Sequence, residues 1–178
     1  MSTFFKSTMR PRFDHARPPI RIGFHTDMAR CAEILAESRR AYWLFEHLMS
    51  PIDAKFRRID ALNADIRAIC EVADIPLPIV SGDSREILRL ISSKKTPELA
   101  CRAYAHYRID ARVARTLAPV VRHVIGIDLE ISKGTVAAIS SATRALDALA
   151  SEWTSEERER CIDEIPRALE DALKKIQE

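Results

Sequence analysis

The chain has 178 residues and carries 28 basic against 26 acidic side chains, for a formal charge of +2. That near balance excludes a bulk-electrostatic demand for nucleic acid or an anionic membrane, and the length suits one domain burying about 70% of the surface its unfolded form would expose. The charge is unevenly placed, however. Through residue 30, Lys6, Arg10, Arg12, Arg17, Arg21 and Arg30 stand against Asp14 and Asp27, whereas from Ser155 to Glu178 eight acids face five bases.

Residues 1–25 hold three of the nine prolines and read as a basic, extended N-terminal arm laid outside a helical bundle domain of residues 26–178. Phe4, Phe5, Phe13, Ile20, Ile22 and Phe24 make the arm more apolar than a solvated tail requires, so it is expected to dock. The first helix starts with Thr26 as N-cap and Asp27 in the first turn, where a carboxylate suits the helix dipole. Its stripe is Cys31, Ile34, Leu35, Ser38, Tyr42, Phe45, Leu48 and Met49. Ser50-Pro51 opens a second helix striped by Ile52, Phe56, Ile59, Leu62, Ile66, Ile69 and Ala73.

Asp74 to Gly82, with Pro76 and Pro78, is a loop expected to lie against the core through its Ile, Leu and Val. Asp83 and Glu86 cap a short helix. Thr96-Pro97-Glu98 then starts a long one striped by Ala100, Tyr104, Tyr107, Ala111, Ala114, Leu117 and Val121. Pro119 predicts a kink or break near Ala118, and Gly126 the end of the segment. A fifth helix begins at Ile127 or Ser132 and ends at Ala150, turning Val136, Ile139, Ala142, Leu146 and Leu149 inward. The last, capped by Thr154 with Glu157, carries Cys161, Ile162, Ile165, Leu169, Leu173 and Ile176 and bends near Pro166. No alternating β-branched run predicts a strand. The expected fold is therefore all-α: a single-domain bundle of five or six mostly antiparallel helices with an extended N-terminal arm.

Cys31, Cys70, Cys101 and Cys161 lie at least 30 residues apart. That spacing has neither the pairing of a zinc site nor the density of a disulfide scaffold, so buried free thiols in a reducing compartment are expected. No segment approaches ~18 uninterrupted apolar residues. The expectation is a cytoplasmic protein without a membrane span, a resident metal or a cofactor.

Candidate chemistry is sparse. Glu-x-x-His and His-Glu-x-x-His are both absent, which excludes the helical di-iron and zinc-hydrolase signatures. Phe45-Glu46-His47-Leu48-Met49-Ser50-Pro51 resembles the phospho-accepting segment of sensor kinases over about seven residues, with the proline one position too early and no nucleotide-binding glycine motifs to follow. Arg58-Ile59-Asp60-Ala61-Leu62 is similar to the opening helix of chorismate mutase, a similarity that ends at Pro76.

Three polar groupings remain. Arg40, Trp43 and His47 fall on the side of the first helix away from its stripe; either the arm or a neighbouring helix covers the indole, or it anchors a partner. His106 and Asp110, one turn apart with Arg102 a turn earlier, have the spacing of an oriented general base, weighed against a plain helix-surface ion pair. Arg108, Arg112 and Arg115 recur at four and three and form a guanidinium ridge that can fork onto phosphate or carboxylate oxygens. Its bland reading is neutralisation by the acids of the last helix, Glu156, Glu157, Glu159, Asp163 and Glu164.

Three functions are carried forward. The first is a non-enzymatic interaction or regulatory module recognising a protein partner through Arg40, Trp43 and His47. The second is a nucleic-acid or phosphate binder using the arm with Arg108, Arg112 and Arg115. The third is a helical enzyme or ligand carrier lined by Tyr104, His106, Tyr107 and Asp110. Self-association stays open in all three.

Overall fold

A computed structural model describes residues 3–16, 20, 22, 26–48, 58–79, 85–86, 89, 92–93 and 96–177, with backbone alone at Leu44, His47, Leu48, Lys175 and Gln177. A π-helical turn, Phe5–Met9, runs into α1 (Arg10–Ala16). Then follow α2 (Met28–Leu48), α3 (Ile59–Ala73), α4 (Thr96–Ile125), a 3-10 turn (Glu130–Ser132), α5 (Thr135–Ala150), α6 (Ser155–Asp163) and α7 (Ile165–Gln177). Together they make an all-α bundle, and no strand occurs among the described residues.

α4 is the axis of the bundle, packing against α2, α3, α5, α6 and α7. Its predicted stripe from Ala100 to Val121 is buried throughout, but so are Cys101, Arg102, Ala103, Ala105, His106, Ile109, Asp110 and Val113. Along its first half α4 is enclosed by neighbouring helices on most sides, so several of its polar residues go inside with the apolar ones. Small alanines at positions 100, 103, 105, 111 and 114 let neighbouring helices approach closely. Pro119 does not break α4, which continues to Ile125 with the proline exposed. Gly126 closes it at φ +74°, its N–H reaching the Arg122 carbonyl.

The N-terminal segment departs most from expectation. Phe5 through Ala16 are helical rather than extended, and Phe5, Met9 and Phe13 are buried in the core instead of lying outside it. These three recur every fourth residue, a helical spacing that the prolines obscured. The i→i+5 bond from the Arg10 N–H to the Phe5 carbonyl widens the turn ahead of Pro11, where an α-turn would press the ring onto the carbonyl of Ser7. Phe5 meets Tyr104 and Trp153 edge-on at centroid distances of 5.3 and 6.0 Å, and Phe13 meets Tyr104 at 5.2 Å. The backbone N–H of Phe5 donates to Asp147 of α5 at 2.7 Å, which anchors the segment at its start.

Smaller differences have local causes. Asp27, not Thr26, caps α2, accepting from the N–H of Arg30 at 2.7 Å. Ala32, Ala36, Ala41 and Glu46 widen the predicted α2 stripe to a broad face. α5 starts only at Thr135, because Gly134 stands at φ +62° in the left-handed region. The buried face of α5 is Ala138, Ala142, Leu146 and Ala150; Val136 is 75% exposed and Leu149 also faces out, against the predicted inward pair. In the loop after α3, Ile75 touches the core while Leu77 and Ile79 are exposed. The last predicted helix is two helices, α6 and α7, separated at Glu164 just before Pro166. The Ser50-Pro51 cap and the start of the second predicted helix lie outside the described residues, as do Asp83 and most of the short helix it was expected to cap.

Candidate functional site

The predicted arginine ridge faces a groove. Arg108, Arg112 and Arg115 of α4 line a cavity of about 410 Å³ together with Ile109 of the same helix. α1 contributes Arg10, Phe13 and Asp14, α5 contributes Val136, Ile139 and Ser140, and α7 contributes Leu169. Four guanidinium groups and one carboxylate thus stand over an apolar lining. The carboxylate is spoken for: Asp14 pairs with Arg108, and Arg10 approaches it at 3.7 Å. The Arg108 guanidinium also lies 6.0 Å from the centroid of Tyr104, a cation–π contact that holds it beside α1. Further along α4, the Nε of Arg115 donates to the Ala111 carbonyl at 3.2 Å, a neutral acceptor.

The acids of the last helices do not take Arg108. Glu164 and Asp171 instead receive Arg102, which is buried, its Nε donating to the Glu164 carboxylate at 2.6 Å and its terminal nitrogens pairing with both acids. Glu157 is used at the α6 cap, where the N–H and hydroxyl of Thr154 donate to it. Glu164 and Asp171 thus neutralise Arg102, and Asp14 of α1 meets Arg108.

His106 and Asp110 do not form a helix-surface pair, since both are buried in the interior. His106 lies against Phe45, ring centroids 5.2 Å apart. Asp110 accepts from the hydroxyl of Ser38 at 3.3 Å and borders a second cavity with Tyr42, Arg58, Tyr107 and Thr135. That cavity has a volume of about 10 Å³, room for roughly one water and for no substrate. Burial, then the charge of Asp110, pushes the Tyr42 phenol well above the ordinary range; burial, then Glu46, does the same for Tyr107. Both phenols stay protonated at neutral pH.

Arg58 completes this interior. Its backbone N–H donates to Glu46 at 2.5 Å, one terminal nitrogen to the Lys133 carbonyl at 3.1 Å, and the other to the Ile131 carbonyl. Asp65 accepts the N–H groups of Glu130 and Ile131 at 2.6 and 2.8 Å. These bonds fasten the 3-10 turn across α3 and so set where α5 begins. They amount to structural wiring between helices.

Trp43 is 56% exposed on α2, and Arg40 beside it is half-buried. More than half of the Trp43 surface stays open. His47 lies in the last turn of α2, and its side chain falls outside the described residues. Among the described residues no group of three or more His, Cys, Asp or Glu side chains is placed to hold a metal ion, and no helix is long and apolar enough to cross a membrane.

Sequence reasoning does not single out Arg10, Phe13, Asp14, Ile109, Val136, Ile139, Ser140 or Leu169 as groove residues. The recurrence of Phe5, Met9 and Phe13 would have placed Arg10 and Asp14, one turn apart, on a helix; no sequence signal locates Val136, whose apolarity points inward by every pattern rule. No protein-family model and no curated protein matches the chain.

Proposed function

We propose that the protein is a non-enzymatic binding module whose groove between α1, α4, α5 and α7 takes an anionic ligand, a phosphate or a carboxylate. The observation that carries this reading is the convergence of Arg10, Arg108, Arg112 and Arg115 on one cavity in which Asp14 is the acid among the described lining residues. Its volume falls in the range of small-molecule sites. Guanidinium groups suit this task because their fork matches two oxygens of a phosphate or carboxylate at once.

Calorimetric titration of the full chain with inorganic pyrophosphate tests the reading. Saturable binding is expected, weakening as salt rises, and about tenfold or more weaker in the R112A/R115A variant. Equal heats for the two proteins, with both folded, would sink it.

A second reading keeps the surface around Arg40, Trp43 and His47 as a contact for a protein partner, supported by the exposed indole. Incorporating a photo-crosslinking side chain at position 43 in cells is expected to give an adduct of one defined mass that Arg40→Glu abolishes. Adducts indifferent to Arg40, or none, would count against it.

A further inference from the structure

Resting on the anion-binding reading, we infer that the ligand of this groove is an amphiphile, a small molecule with a phosphate or carboxylate head and an apolar body, rather than a bare anion or a nucleic-acid backbone. The walls differ in kind. One is the row of arginines along α4, and another is the start of α5, which brings Val136, Ile139 and Ser140. Phe13, Ile109 and Leu169 extend the apolar lining.

Val136 is the telling residue. At 75% exposure it keeps most of a branched apolar side chain in water while lining a strongly cationic groove. A hydrated phosphodiester backbone gains nothing from such a neighbour, and inorganic phosphate has no apolar surface with which to cover it. An alkyl or aryl group attached to the anion does, because covering Val136 and Ile139 removes apolar surface from water on both partners. The four arginines supply the cationic partners for the head, and the apolar lining of α1, α4, α5 and α7 supplies the surface for the body.

The test compares inorganic phosphate, ethyl, butyl and hexyl phosphate, and a single-stranded oligonucleotide against the full chain and its V136S/I139S variant. Affinity is expected to rise by about fourfold for each buried methylene. The rise should flatten in V136S/I139S while inorganic phosphate binds both proteins alike, which also shows that the variant is folded. Inorganic and hexyl phosphate binding equally would overturn this inference and leave the anion-binding reading standing, as would an oligonucleotide binding more tightly than any alkyl phosphate. Failure of every anion to bind would overturn both.

Discussion

Asp65 shows how much of this fold turns on single buried polar atoms. Its two carboxylate oxygens each accept one backbone N–H of the 3-10 turn, from Glu130 and Ile131, and burial raises its pKa against the pull of those same donors. Replacing it with Ala leaves both donors without their acceptor, at about 1–3 kcal/mol each for a buried group, so Asp65→Ala is expected to lose about 2–5 kcal/mol in urea unfolding. Asp65→Asn keeps one carbonyl oxygen but turns an amide toward the second donor, and its loss should fall between Ala and wild type. The stripe of α3 was legible from the sequence, since Leu62, Ile66 and Ile69 repeat at helical spacing. The role of Asp65 was not, because its partners lie 65 and 66 residues away.

At the scale of elements, the helix ends were the clearest part of the sequence and the N-terminal helix the most obscure. Thr154 and Glu157 form the capping box that their spacing predicts, each accepting the other's backbone N–H. Those bonds hold the Glu157 carboxyl below its ordinary value. A depressed carboxylate stabilises the fold above the unfolded-state pKa and loses that contribution as pH falls through the folded one. The melting-temperature gap between wild type and Glu157→Gln should thus be present at about pH 7 and shrink at about pH 3; a gap that widens in acid would contradict the cap's role. Phe5 makes the opposite point. It is fully buried between Tyr104 and Trp153 in a segment whose prolines argue for an extended arm. Phe5→Ala is expected to cost about 3–5 kcal/mol in urea unfolding, whereas an arm resting on the surface would lose far less.

For the molecule as a whole, α4 imposes the organisation. Since α2, α3, α5, α6 and α7 all pack on it and the N-terminal helix reaches its tyrosine, no part of the described core is separate from the rest. Unfolding is expected to be a single cooperative transition. In Trp43→Phe, the emission of Trp153 reports docking of Phe4 and Phe5, and it should change at the same urea concentration as far-ultraviolet circular dichroism; separated midpoints would show the N-terminal helix docking on its own. The charge polarity of the sequence also resolves at this scale. Two acids of the C-terminal helices, Glu164 and Asp171, serve Arg102 inside the bundle, and the basic N-terminal segment brings its one acid, Asp14, to the ridge.

The sequence by itself determined the all-helical class, the ends at Thr96, Gly126 and Thr154, and the apolar stripes of α2, α3 and α4, because helix formation and capping depend on residues within a turn or two of one another. It also located the three arginines of the ridge on one side of one helix. Only the tertiary structure decided that the first half of α4 is enclosed on most sides, that His106 and Asp110 are interior residues, and that Asp14 meets Arg108 across 94 positions of chain. The groove belongs to that second class: its walls come from four helices, and periodicity within one segment carries no information about which other segment will be packed against it.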